Sequence, residues 1–594
     1  MRLAPSAVPQ GDFAEPGHGR RARHAEWLVL SCYLLGALAL TWRLWVDPAS
    51  RAQVGDSQDV DLYTWFLRYA ATAVARGQLP ALVTTAMNAP RGISLMWNTS
   101  VLLPGALLTP VTLLAGPQVS ATVMLTAGFA GSAASLFFVL RWWGATVVAA
   151  ALGGVLYGFS PALLNSAAGH YQMQFAVLPP LIIHALLTVV VRSGSPVRSG
   201  VLLGVLTAAQ VFIGEEMLVQ TALAGLILVA VLAAGQPRAV LSRIRPAATG
   251  LATAAVVALL CSGYALWVQL RGPLTEHGSP WTTSDFISRP AAFVTPSGGL
   301  LFHTLASART AASYPNFLPE YLAYLGWPLL AVLLLATLCY WRHRQIRATA
   351  VTFAALELFS LGGSARLFGG RYPVTLLPWH WLQGLPALSQ MLPDRFAVLA
   401  DGAAAALLAF ALDQARSAAP LRPAFVRRGV PTAIAALAIM PIIPLPLQTA
   451  AVTPLPGGWQ AAFAGLHVAP DARVLVVPVP CGAYPQALRW QATSGEPGSL
   501  IGGYFIGPNL KGQAVVVGYP GTSPPGYLNA LWQGQKPPDP PSSATVRATL
   551  SGWWRPAAVV AVTPARSRLG RFLTRLLGRP AVKAGAVLGW RLHA

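Results

Sequence analysis

The chain has 594 residues, of which 54% are hydrophobic and only 10% charged, where soluble domains carry roughly 25% charged residues. That deficit, together with long apolar runs, excludes a soluble enzyme and means a polytopic membrane protein. The formal net charge of +22 is nearly all arginine, with lysine only at Lys511, Lys536 and Lys583; the arginines cluster in short loops between apolar runs, which fits membrane topology and anionic lipid, and no nucleic-acid motif or aromatic-interleaved basic patch occurs.

The polar tail 1–25 carries Arg20, Arg21 and Arg23 just before the first apolar run, 27–46. That run is long enough to span and lacks a small-residue cleavage site, so it reads as a retained helix with a cytoplasmic N-terminus. Ten further spans are expected at 119–141, 145–161, 174–191, 199–214, 217–235, 247–270, 321–341, 347–362, 396–413 and 430–448. The apolar run 101–116 is short and carries Pro104 and Pro110. The arginine-dense loops at Arg141, Arg192/Arg198, Arg238/Arg243/Arg245, Arg342/Arg344/Arg347 and Arg416/Arg422/Arg427/Arg428 should be cytoplasmic, which leaves 101–116 as a re-entrant or outer-leaflet segment. About eleven spans then make residues 26–448 a transmembrane domain in the cell membrane. The first loop 47–100, the turn 160–173, Glu215-Glu216, the loops 271–320 and 363–395, and everything after 449 become extracytoplasmic.

Residues 449–594 change character. Proline and glycine rise, and short β-type runs appear at 473–479, 514–517 and 557–562, so a small external soluble α/β domain is expected. The fold class is thus mostly α, a polytopic helix bundle with this domain appended. Cys32, Cys261, Cys339 and Cys481 show neither disulfide nor metal spacing. No phosphate-binding glycine loop is present.

The first loop puts Asp56, Asp59 and Asp61 into one short stretch of a chain with few acids. From Ser57 to about Arg76 the pattern is compatible with an amphipathic helix on the membrane surface. Asp56 and Asp59, at i and i+3, share a face. An N-cap with a first-turn acid and a reactive pair are equally open readings, and Asp61 reads as solvated. Four other groups stand out on the expected outer face. In Gly169-His170-Tyr171-Gln172 the histidine either binds donor or acceptor, with Gln172 beside it, or carries a proton, or else forms an interfacial His-Tyr pair capping a helix end. Glu215-Glu216 is either functional or a solvated turn, since paired acids at a membrane boundary are unfavourable otherwise. Glu320 sits in the run 315–321 before a span. Arg395 is suited to grip a lipid phosphate, or else pairs locally with Asp394; Arg289, Arg366 and Arg371 compete for the role. Asn98-Thr99-Ser100 is formally a glycosylation sequon.

An acid shortly after the first span, a surface helix, then Gly77-Gln78-Leu79-Pro80 and Asn88-Ala89-Pro90-Arg91-Gly92 resemble the first outer loop of GT-C-type membrane glycosyltransferases. The resemblance implies a polyprenyl-phosphate sugar donor, a glycan or protein acceptor in the cell envelope, and a loop carboxylate acting as base or metal ligand for Mg or Mn. By position that carboxylate is Asp56, with Asp59 the next catalytic candidate and His170, Gln172, Glu215, Glu216, Glu320 and Arg395 left to bind substrate. The chain has Gly55-Asp56-Ser57 where the family more often carries adjacent acids. A transporter or flippase for a lipid-linked saccharide is the alternative. It requires ionisable groups deep in the spans, and only Glu357 and Asp401 qualify. A non-catalytic envelope-assembly protein is the third reading.

Overall fold

A computed structural model describes residues 20–592, apart from 192–194, 315–317, 368–369, 386–387, 418–422 and 496–497. The tail up to residue 19, Arg192, Arg422 and the first part of the run 315–321 therefore lie outside the described residues.

Each of the eleven apolar stretches carries a helix: Arg20–Trp45, Pro117–Trp142, Val147–Gly158, Leu178–Val191, Pro196–Val211, Glu215–Ala234, Pro237–Arg271, Trp327–Tyr340, Arg344–Ser360, Phe396–Ser417 and Ala424–Ile439. Among the described residues, seven helices are long and apolar enough to cross a bilayer, and three shorter apolar ones accompany them. The chain is a multi-pass membrane protein. The run 101–116 forms two short helices, Leu102–Leu107 and Thr109–Ala115. At about 1.5 Å per residue neither crosses a hydrocarbon core of roughly 30 Å.

The chain divides into two compact units. The first comprises Met1–Arg43, Met124–Cys261 and Thr282–Leu447. Its central helix, Phe396–Ser417, is buried along most of its length and packs on Arg344–Ser360 and Val147–Gly158. Small residues make this closeness feasible, since in lipid the gain comes from backbone approach and not from hydrophobic exclusion. A Cβ at Gly153 would stand 3.2 Å from the Ala405 carbonyl, and one at Gly204 would stand 2.6 Å from that of Ala254.

The second unit comprises Leu44–Val123, Ser262–Trp281 and Gln448–Ala594. It is built on a five-stranded sheet in the order Val582–Ala584, Val587–Arg591, Ala558–Val562, Arg473–Val477, Ser499–Leu500. Ala558–Val562 runs parallel to Arg473–Val477, with Val559 opposite Leu475, and antiparallel to Val587–Arg591. Apolar alternation supplies a core of Leu475, Val477, Val559, Ala561, Leu528, Leu573 and Trp590. The expected strand at 514–517 lies outside this sheet, in a hairpin with Ile506–Pro508.

The first loop belongs to the same unit. Arg51–Gln53 pairs antiparallel with Thr449–Ala451. Further on, the Leu500 N–H donates to Ala86 O at 3.0 Å, and the Ala89 and Asn88 N–H groups donate to Leu500 O and Gly502 O at 2.9 Å. The stretch around Asn88-Ala89-Pro90 thus lengthens the edge of the sheet. Asn98 is buried and bonds the backbone of Ile506 both ways, at 2.7 and 2.9 Å. Its amide holds a hairpin and is closed to glycosylation in the folded chain.

Candidate active site

The helix Ser57–Ala75 begins where the sequence places it. Asp56 is its N-cap in extended conformation and Asp59 lies in its first turn, where the helix dipole favours negative charge. The Asp56 side chain does not make a capping bond. Gln58 Nε2 donates to its Oδ2 at 3.2 Å. Burial pushes the Asp56 carboxyl above its ordinary range, although the nearby backbone N–H groups of Asp59 and Gln58 work against the shift. Both Asp56 and Asp59 are half-buried.

Tyr504, which the sequence reading missed, hydrogen-bonds Asp59 with its hydroxyl. Burial pushes this phenol up, and the Asp59 and Asp56 carboxylates push it further. Tyr504 therefore stays protonated and donates. The only local signal was Gly502-Gly503-Tyr504, an aromatic after a turn.

Asp61 is not solvated as expected. It is buried, with Arg489 Nε at 2.5 Å from its Oδ1. At 100° per residue, a position two beyond Asp59 turns to the opposite flank of the helix, and that flank packs on the helix Gln486–Ser494. Arg489 Nη1 also donates to Gln118 Oε1 at 2.6 Å, and Gln118 Nε2 donates to Arg51 O at 2.9 Å. The network ties the acidic helix to Pro117–Trp142 and to the strand pair at 51–53.

In the first unit, four residues singled out separately in the sequence come together. Arg395 lies in the turn Pro393–Arg395 and Glu320 in the turn Leu318–Glu320, while Glu216 opens its helix and His170 stands between two short helices. Arg395 Nη2 is 2.5 Å from Glu320 Oε1, and its Nη1 is 2.5 Å from Glu216 Oε2. The other Glu216 oxygen accepts from Leu392 N at 2.9 Å. His170 Nδ1 is 3.5 Å from Glu320 Oε1. Burial pushes the His170 imidazole down to about 4, with Glu320 opposing the shift and Arg395 adding to it. Burial would raise Glu320, but Arg395 and His170 together hold it below the usual carboxylate range.

Three expectations change here. Arg395 does not stand ready for a phosphate, because two carboxylates already occupy its guanidinium. Its ion pairs run to Glu216 and Glu320, whereas the carboxylate oxygens of Asp394, which is fully buried, have no hydrogen-bond partner among the described residues. The sum of charge around Arg395 is negative, a poor setting for an anion. Glu216, and not its neighbour Glu215, makes the ion pair. Gln172 is buried, and a Cβ at Gly214 would meet its side chain at 3.3 Å. Of the competing arginines, Arg289 stacks over the Tyr314 ring at 5.1 Å; the side chains of Arg366 and Arg371 lie outside the described residues. No group of three or more His, Cys, Asp or Glu able to hold a metal occurs among the described residues.

No protein-family model matches the chain, and no curated protein matches it. Solved structures do. The oligosaccharyltransferase of Archaeoglobus fulgidus, crystallised with Zn and sulfate, superposes at a TM-score of 0.51 and 12% identity, over 90% of this chain and 67% of that one. The arabinofuranosyltransferase AftD from mycobacteria aligns at 0.48 and 17% identity over 98% of this chain, which spans only 40% of AftD. ArnT from Cupriavidus metallidurans, bound to undecaprenyl phosphate, aligns at 0.44 and 12% identity, over 96% of this chain and 98% of that one. The first likeness is one of fold: a GT-C-type bundle with a C-terminal α/β region.

Proposed function

We propose that the chain is a membrane glycosyltransferase moving a sugar from a polyprenyl-phosphate-linked donor to an extracytoplasmic glycan or protein acceptor. Asp56 takes the acceptor hydroxyl proton, the acceptor oxygen attacks the anomeric carbon, and the bond from that carbon to the lipid phosphate breaks. Asp59, oriented by Tyr504, stands beside it. The observation that supports this most is Asp56 itself: a half-exposed carboxylate at the N-terminus of the first-loop helix, made more basic by burial although Gln58 and the first-turn N–H groups oppose the shift.

Two half-buried carboxylates, with no cluster of three or more His, Cys, Asp or Glu among the described residues, suit Mg or Mn, which keep several waters. They do not suit a closed zinc cage. If Asp56 serves as a metal ligand in place of a base, a divalent ion held with Asp59 would offset charge on the departing phosphate. The Arg395 cluster is read as a substrate-binding patch. Its Glu216, His170 and Arg395 side chains remain 12–18% exposed, and its carboxylates would accept from sugar or acceptor hydroxyls. The flippase reading is weaker, because Asp401 already bonds the Ser160 hydroxyl and the Ala162 N–H and so serves a helix start.

The test is transfer from radiolabelled polyprenyl-phosphate sugars by Asp56→Asn. Loss of a general base removes about 10²–10⁴ in rate. Full activity in this variant would remove Asp56 as the base.

A further inference from the structure

The last stretch of the chain is basic without compensation. From residue 540 to the end it carries eight arginines and one lysine but no Asp or Glu. Topology does not account for this charge, because the arginines that set it lie within about 15–20 residues of a span, and the last apolar helix ends at Ile439.

One helix, Arg568–Leu577, gathers the charges. Its apolar residues Leu569, Phe572, Leu573 and Leu576 are buried in the core of the second unit, and the Ser567 hydroxyl caps its start by accepting from Gly570 N at 2.8 Å. Arg568, Arg571 and Arg575 stand at i, i+3 and i+7 and are exposed, so they form one stripe about 10 Å long. Arg566 and Arg579, also exposed, flank the helix at its two ends. Arg547 donates to Leu576 O at 3.4 Å and sets a sixth guanidinium beside the last turn. Like charges at these spacings repel. Among the described residues none of the six pairs with a carboxylate. Arg568 Nη1 donates to Gly534 O at 2.8 Å, and Arg571 Nη1 donates to Arg566 O. These bonds orient the side chains and leave their charge uncancelled.

A row of guanidinium forks matches carboxylate and phosphate oxygens. It is not built to enter a bilayer. A helix that lies on lipid buries its apolar residues there, whereas those of Arg568–Leu577 are in the protein core. Beyond residue 449 the large apolar side chains that are exposed, among the described residues, are Leu510 and Trp553, both on other elements.

We propose that this stripe docks an anionic polysaccharide of the cell envelope, one that bears carboxylates or phosphodiesters along its length. The inference rests on the extracytoplasmic placement of the C-terminal region, and it adds to the transfer reaction a surface that holds a polymer.

The full-length protein in phosphatidylcholine nanodiscs is titrated with fluorescein-labelled oligogalacturonate, poly(glycerol phosphate) and neutral dextran, and binding is read by fluorescence anisotropy. At least one of the two anionic polymers is expected to bind, and dextran is not. Arg568→Gln/Arg571→Gln/Arg575→Gln should weaken binding about tenfold, the scale of three exposed ion pairs lost together. Arg76→Gln/Arg91→Gln/Lys511→Gln removes the same charge from other exposed positions of this unit and should weaken it about twofold or less, since distant exposed charges are screened. Arg575→Gln alone gives a partial loss if the first triple variant does not fold. Binding of dextran as tight as that of the anionic polymers, equal losses in the two triple variants, or stripe-dependent binding to phosphatidylglycerol vesicles that exceeds binding to both polymers each overturns the proposal. The readout is binding, so it is independent of whether Asp56 is a base.

Discussion

His170 lies between a carboxylate and a guanidinium, and burial holds its imidazole neutral down to about pH 4. In the unfolded chain it would take up a proton near 6.5. The unfolded state therefore binds more protons between those values, and stability falls as pH drops from about 6.5 towards 4. A shift from 6.5 to about 4 corresponds to ~3 kcal/mol. His170→Gln should flatten this part of the stability–pH curve, measured by thermal unfolding in detergent; an unchanged slope would mean that other groups set the acid limb. Asp56 predicts a different pH effect. Its carboxyl is raised by burial and works as a base only when ionised, so the acidic limb of kcat/KM should lie above the ordinary Asp value of roughly 3.9. Tyr504→Phe removes a donor from the Asp59 carboxylate and should lower kcat several-fold while leaving Tm within a few degrees. Equal rates in the two proteins would assign Tyr504 to packing alone.

The helix Ser57–Ala75 shows what residue spacing does and does not reveal. Its extent and the shared face of Asp56 and Asp59 follow from a 3.6-residue period, which is local. The fate of Asp61 is not local, because its partner Arg489 lies 428 residues away and only packing against Gln486–Ser494 turns a charged surface position into a buried ion pair. The same applies to Arg395. Its importance at a helix start was legible, but the choice of Glu216 and Glu320 over the adjacent Asp394 depends on loops 179 and 75 residues distant. The edge bonds from Ala86 to Ala89 were hidden because a proline-containing stretch reads as a turn. By contrast, all eleven apolar stretches were found as helices, because a long apolar run is a local signal; among the described residues seven of the helices are long and apolar enough to cross a bilayer. The Asp61–Arg489 pair yields a sharp expectation. Removing one partner leaves an uncompensated buried charge and costs about 3–5 kcal/mol, while replacing both with apolar residues is far less harmful. Arg489→Leu should therefore lower Tm strongly and Asp61→Leu/Arg489→Leu should recover much of the loss; a double variant as unstable as the single one would show that the pair is not coupled.

At the scale of the whole molecule, the glycosyltransferase reading requires that the acidic loop and the acceptor meet on the extracytoplasmic side, and that orientation rests on arginine. Loops rich in arginine resist translocation, and the densest of them, around Arg342 to Arg347, joins two apolar helices. If that loop is cytoplasmic, an odd number of crossings carries the C-terminal region to the opposite face from the N-terminus. Leu510, fully exposed at the tip of the hairpin formed by Ile506–Pro508 and Ala514–Val516, is a suitable reporter for that region, and Arg342 is its counterpart. Cys481 is buried, so a background with Cys32, Cys261 and Cys339 changed to serine removes the exposed native thiols. In intact cells a membrane-impermeant maleimide should label Leu510→Cys, whereas Arg342→Cys should react only after permeabilisation. The reverse pattern would place Asp56 in the cytoplasm, where the proposed acceptor is absent. It would leave the fold intact and remove the extracytoplasmic transfer reaction, and with it the need for a lipid-borne donor in place of a soluble sugar nucleotide.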